Sequence, residues 1–78
     1  MTRVLVVVEG GVIQNVMADG PVKVITIDYD TEGVDPIDLH DIPQTDGRFE
    51  RAFKNVWDKP EYMAPAEMDA IENAKASA

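Results

Sequence analysis

The chain has 78 residues, with 15 acidic and 7 basic side chains, one histidine and no cysteine, and its formal net charge is −8. A chain of this length buries roughly 60 to 65% of its unfolded surface, so we expect one small domain, residues 1–78, of marginal stability. The lack of cysteine excludes disulfides and thiolate metal sites. The net negative charge would repel the phosphates of nucleic acids and of anionic membranes. Composition therefore favours a basic protein surface as the partner.

The apolar runs of the sequence are short. The strongest is Val4–Val8, far below the roughly 20 residues that span a bilayer. We therefore expect a soluble protein of the cytoplasm.

Three strands are predicted in the first part of the chain. β-Branched residues indicate strands at about 3–9 and 12–18, joined by a tight turn at a pair of glycines. Adjacent polar residues, Gln14 and Asn15, interrupt the alternation of the second strand and indicate a β-bulge. A third strand at about 22–29 completes a predicted antiparallel meander.

The first strand would lie at an edge of that meander. It is apolar on both faces, and an apolar edge invites pairing with another chain. A homodimer through this edge is therefore an open alternative, with the protein acting as a small dimeric scaffold or regulatory subunit that uses this strand edge and its helical face. In that alternative the acidity serves only solubility.

Residues 30–46 are predicted to form an acidic loop, because Gly33, Pro36 and Pro43 interrupt any regular period. A helix at about 47–58 follows from an apolar spacing of i, i+3, i+4, i+7 and i+8. The residues at that spacing are Phe49, Ala52, Phe53, Val56 and Trp57.

A second helix is predicted at about 65–75, with Pro65 at its first position. The predicted fold class is α+β: a three-stranded antiparallel β-meander with one or two helices packed on one face.

The charge is concentrated in one segment. Between Val24 and Gly47 there is no Lys or Arg, and there are seven acids: Asp28, Asp30, Glu32, Asp35, Asp38, Asp41 and Asp46. We call residues 28–46 the acidic segment. Spaced carboxylates of this kind are typical of a surface that binds the Lys and Arg side chains of a partner protein.

Residues 28–33 also resemble the opening of an EF-hand calcium loop, with acids at positions 1, 3 and 5 and glycine at position 6. The match fails at position 9, which is Pro36, and at position 12, which is Leu39. A divalent-metal site at Asp28, Asp30 and Glu32 is kept as an alternative, whereas the main interpretation predicts no metal and no cofactor.

Residues that could serve nucleophilic catalysis are scarce. The chain has no cysteine, its one serine is Ser77 near the end, and its one histidine is His40. Because such catalysis needs a nucleophile beside a base, we expect a protein that is not an enzyme.

Two stretches carry a resemblance. Val-Leu-Val-Val-Val-Glu-Gly-Gly-Val-Ile-Gln-Asn-Val at 4–16 and Val-Ile-Thr-Ile-Asp-Tyr-Asp-Thr-Glu-Gly at 24–33 resemble short uncharacterised bacterial proteins carried by phages and mobile elements. The resemblance covers residues 4–33 and implies no catalytic residue. Phage-associated proteins of this size and acidity resemble anti-CRISPR proteins, which implies a nucleic-acid-mimicking inhibitor in the host cell cytoplasm.

The combined expectation is a small acidic interaction protein that inhibits or modulates a basic, nucleic-acid-binding protein or complex. It would not bind nucleic acid or membrane itself. Its predicted contacts are six acids and two tyrosines that could act as buried anchors: Asp28, Tyr29, Asp30, Glu32, Asp35, Asp38, Asp41 and Tyr62.

Overall fold

The computed structural model of the protein describes residues 1–77. In this part of the chain the strands and the α-helix are, in order, β1 Val4–Glu9, β2 Val12–Ala18, β3 Val24–Asp28, β4 Leu39–Pro43, β5 Phe49–Trp57, β6 Glu61–Tyr62 and α1 Pro65–Glu72. The strands form two three-stranded sheets, with the orders β1-β2-β6 and β3-β5-β4. The fold is therefore α+β.

The chain divides into two compact units. The first unit, residues 1–24 and 57–77, contains the sheet β1-β2-β6 and α1, and the second unit, residues 25–56, contains most of the sheet β3-β5-β4. The prediction of one small domain stays a prediction.

The β1–β2 hairpin forms as the sequence predicts. Gly10 and Gly11 have φ values of 61° and 76°, which is the backbone of a two-residue turn between antiparallel strands. The register of the two strands shifts between Val7 and Val8, which confirms the predicted bulge. The extra residue lies on β2, where Gln14 has no partner in the register.

The predicted meander is wrong, because β3 pairs with β5 and not with β2. The second neighbour of β2 is β6, which runs parallel to it, and the Met63 N–H donates a hydrogen bond of 2.9 Å to Ala18 O. Pro21, in the segment that follows β2, has no N–H with which to continue a ladder. The edge of β2 that a meander would pair with β3 is instead paired with β6.

The helix predicted at 47–58 is also wrong, because these residues form β5. A hairpin turn precedes it: the Gly47 N–H donates to Gln44 O at 3.1 Å, and the Gln44 N–H donates to Arg48 O at 2.8 Å. Gly47 has a φ of 85°, as a three-residue hairpin loop requires at its last position. Asp46-Gly47 thus belongs to a hairpin turn that leads into β5, where the sequence analysis predicted the start of a helix.

The second half of the predicted acidic loop is regular. A 3₁₀ turn spans Pro36–Asp38 and leads directly into β4. β4 pairs antiparallel with β5, from Leu39 opposite Phe53 to Pro43 opposite Phe49. The acidic segment is therefore a turn-rich connection followed by a strand.

The predicted second helix is confirmed as α1, which starts at Pro65 and ends at Glu72, three residues earlier than expected. The most buried apolar side chains among residues 1–77 are Val16, Ala18, Met68 and Ala52. The first three belong to the first unit and Ala52 to the second.

Candidate acidic interface

Several carboxylates of the acidic segment shape its backbone. Asp28 ends β3, and its Oδ1 accepts a hydrogen bond from the Asp30 N–H at 2.9 Å. Asp35 caps the 3₁₀ turn, with its Oδ1 accepting from the Ile37 N–H at 3.1 Å. Bonds of a short acidic side chain to an N–H two residues onward are the usual way in which Asp stabilises a turn. These carboxylates therefore stabilise the turns of the acidic segment and also supply its negative charge.

Internal neutralisation of the segment is slight. Asp46 is ion-paired, with its Oδ2 at 2.7 Å from Arg48 Nε, and it also accepts from the Arg48 N–H at 3.0 Å. The Arg48 N–H, and then the guanidinium, hold the pKa of Asp46 below its ordinary value. Arg51 lies opposite Asp41 in the register without forming an ion pair.

The other acids of the segment have no ion pair within residues 1–77: Asp28, Asp30, Glu32, Asp35, Asp38 and Asp41. All of them are exposed except Asp28, which is half-buried. The segment thus presents a series of uncompensated carboxylates from one unit of the chain.

Exposed apolar side chains accompany these acids. Tyr29 is 51% exposed, and its hydroxyl accepts a hydrogen bond from Gln44 Nε2 at 3.1 Å. Ile37, in the 3₁₀ turn, is 83% exposed. Both side chains lie within the acidic segment and could add apolar contact to an ionic interface.

The aromatic side chains of β5 are contact candidates that the sequence analysis missed. Phe49 is 66% exposed and Phe53 41% exposed, although both belong to the apolar spacing from which the helix was predicted. Their odd positions put them on the same face of β5 as Arg51, and Asp41 lies opposite Arg51 on the neighbouring strand. Phe49, Phe53 and Trp57 are four residues apart, a spacing that fits one face of a helix as well as one face of a strand, so the sequence held no decisive signal for this exposure.

The carboxylates do not converge on a point. Among residues 1–77, no three His, Cys, Asp or Glu side chains are grouped so that they could hold a metal ion. Asp28, Asp30 and Glu32 instead follow one another through turns, with the Glu32 N–H donating to Asp30 Oδ1 at 3.4 Å. The structure gives the divalent-metal alternative no support.

Tyr62 lies apart from the other predicted contacts, in β6 of the first unit. It is 67% exposed and lines an open surface cavity of about 540 Å³ together with Pro21 and Pro60. An ion pair between Lys23 and Asp58, at 3.3 Å, involves a further lining residue, Asp58. Seven of the eight predicted contact residues therefore belong to the second unit and Tyr62 to the first.

No protein-family model matches the chain, and no curated protein or solved structure does either. Within residues 1–77, no helix combines the length and the apolar character needed to cross a membrane.

Proposed function

We propose that this chain is a small non-enzymatic interaction protein whose acidic segment binds the basic surface of a nucleic-acid-binding protein or complex and thereby inhibits or modulates it. The observation that carries this proposal is the set of six acids, from Asp28 to Asp41, that form no ion pair with any Lys or Arg of residues 1–77. Unpaired carboxylates on one unit leave their charge available to an external partner.

The physical basis is competition for the same cations. A channel that holds nucleic acid is lined with Lys and Arg, and its occupant releases counterions when it binds. A folded acidic surface can release the same counterions and exclude the nucleic acid. The acidic segment offers seven charges in nineteen residues, whereas duplex DNA carries one charge per about 1.7 Å of axis, so mimicry is partial.

Apolar contacts would supply the affinity that partial mimicry lacks. Interface energy concentrates in a few buried aromatic side chains surrounded by polar contacts. Tyr29, Phe49 and Phe53 belong to the same unit as the acids and are exposed. We assign the anchor role to Tyr29 first, because it lies within the acidic segment itself. Tyr62 is a separate candidate contact on the first unit.

The most concrete form of the proposal is an anti-CRISPR-type inhibitor that works in the cytoplasm of a host cell. The support for this form is the resemblance of residues 4–33 to short phage-borne proteins. The acidic-interface proposal is independent of it, because it depends only on the carboxylates and their surroundings.

Affinity capture from a lysate at two ionic strengths tests the proposal, with two variants of equal charge. The segment variant keeps the side-chain oxygens that shape the turns and removes three charges: Asp30→Asn, Asp35→Asn and Asp38→Asn. The control variant removes the same charge from exposed residues of the first unit: Glu61→Gln, Glu67→Gln and Glu72→Gln.

We expect the wild-type protein and the control variant to capture the same basic nucleic-acid-binding protein at low salt and to release it at high salt, since exposed charges are screened. The segment variant should capture little of it. Equal capture by the segment and control variants would contradict the proposal.

A further inference from the structure

We propose that β1 pairs antiparallel with β1 of a second copy of the chain, so that the two copies share one six-stranded sheet. β1 is the last strand on one side of the sheet β1-β2-β6 in the part of the chain that the structure describes. An exposed edge strand presents a row of unpaired N–H and C=O groups that another strand can use. This inference is independent of the acidic interface, which belongs to the other unit.

The hydrogen-bonding groups at this edge can be assigned from the ladder. The Asp19 N–H donates to Arg3 O at 3.2 Å, so the backbone of Arg3 faces β2. Along an antiparallel pair, residues alternate between facing the partner strand and facing away. The extra residue of the bulge lies on β2, and alternation along β1 is unbroken. Val4, Val6 and Val8 therefore direct their N–H and C=O groups away from β2, toward the free edge.

The side chains of the same three valines are uncovered. Val4, Val6 and Val8 are 42%, 43% and 61% exposed, whereas Val16, opposite Val6 on β2, is 0% exposed. On this face of the sheet, the side chains of β2 are therefore buried and those of β1 are open to solvent. A second β1 would add its own valines beside these, and cross-strand pairs of β-branched residues stabilise a sheet.

One register matches both the backbone and the charges. Centred on Val6, it sets Val4 opposite Val8 of the second copy, so that only outward-facing residues exchange hydrogen bonds. The same register sets Arg3 opposite Glu9 of the second copy at both ends. Nη2 of Arg3 has one hydrogen bond, to Pro65 O at 3.3 Å, and keeps donor capacity for that carboxylate. Arg3 is already paired with Asp19, Asp69 and Glu72 of its own chain, so Glu9 of the second copy would accept from the remaining Nη2 donor, and the main complementarity of the two edges is in the backbone.

The size of the contact sets its strength. Seven paired residues extend over about 23 Å. The surface area that one pair of strands buries is small compared with the roughly 1,200 Å² of a stable interface. The association is therefore concentration-dependent, with a dissociation constant in the micromolar range. Salt near about 0.15 M is needed in the measurement, because each copy carries a net charge of −8.

Sedimentation equilibrium from about 1 μM to about 1 mM tests the proposal on the full chain. The mass should rise from 8.6 kDa toward twice that value. Val8→Lys should abolish the rise, because it puts a charge into the new valine strip. Val12→Lys is the matched control, since Val12 is 57% exposed but lies on β2, away from the free edge, and it should associate like the wild type.

A backbone variant tests the same edge without a new charge. Val6→Pro removes an N–H that β2 does not use, so the monomer should keep its far-ultraviolet circular dichroism spectrum and fail to dimerise. Glu9→Lys should raise the dissociation constant about tenfold, by setting like charges opposite each other. A mass that stays at 8.6 kDa throughout, or a Val12→Lys variant that dissociates as fully as Val8→Lys, overturns the proposal.

Discussion

Arg3 and Asp19 are joined by three hydrogen bonds just outside β1 and β2. Asp19 Oδ1 accepts from the Arg3 N–H at 2.7 Å, Asp19 Oδ2 accepts from Arg3 Nε at 2.8 Å, and the Asp19 N–H donates to Arg3 O at 3.2 Å. The Asp19 side chain is only 7% exposed. Arg3 also donates to Asp69 and to Pro65 O. One guanidinium thus ties α1 to the sheet of the first unit.

This arrangement predicts an acid-dependent loss of stability. The Arg3 N–H, and then the guanidinium, hold the pKa of Asp19 below its ordinary value of 3.8. Stabilisation by a carboxylate of lowered pKa is fully present above the ordinary value and is lost as the pH falls through the folded-state value. We expect the thermal midpoint of the wild type to fall as the pH drops below about 4.

Asp19→Asn isolates the contribution of this residue. The variant should be less stable than the wild type at pH 7 and should lose less stability on acidification, because its amide does not titrate. Asp38→Asn is the control, since that side chain is exposed and has no hydrogen bond or ion pair within residues 1–77. Parallel pH profiles of the midpoint for Asp19→Asn and the wild type would refute the assignment.

Gly47→Ala distinguishes the hairpin from the helix that the sequence suggested. Gly47 has a φ of 85°, and a residue with a Cβ pays about 1 to 2 kcal/mol in that region. We expect the free energy of unfolding, measured in urea, to fall by that amount. In a helix the same change would raise the free energy of unfolding by about 0.5 to 1 kcal/mol, so the sign of the effect decides. Gly47→Asn should cost less, because Asn adopts this conformation more easily.

Phe49 and Ala52 should respond in opposite ways to a change of size. Ala52 is 0% exposed, and Ala52→Leu should lower the free energy of unfolding by about 1 to 3 kcal/mol through overpacking. Phe49 is 66% exposed, and Phe49→Ala should cost at most about 1 kcal/mol. A loss of about 3 to 5 kcal/mol for Phe49→Ala, as expected for a buried aromatic residue, would show that this face is covered.

Sequence reasoning succeeded where local chemistry decides the structure. The two glycines after β1 can take the positive φ of a tight turn, and Pro65 is suited to the first position of a helix. Both elements formed where they were predicted. The adjacent polar residues Gln14 and Asn15 likewise marked the bulge of β2.

Sequence reasoning failed where pairing between distant segments decides. β5 has no purely apolar face, because its odd positions include Arg51 and its even positions include Lys54. The alternation of apolar and polar residues that predicts a strand was therefore not evident, and the apolar residues fitted a helical spacing better. Pairing with β3 and β4 overrides that local pattern. The acids of the candidate interface could be proposed from charge alone, whereas the exposure of Phe49 follows only from the strand.

The salt dependence of binding tests the central claim most directly. With the partner captured from lysate, we predict that its dissociation constant for the wild-type protein rises at least about tenfold between about 0.05 M and about 0.5 M salt. At low salt the segment variant should bind about tenfold more weakly, as expected for three exposed ion pairs, and show a shallower salt dependence, whereas the control variant should match the wild type. A dissociation constant that does not change with salt, or that is the same for the wild type and the segment variant, would contradict the account.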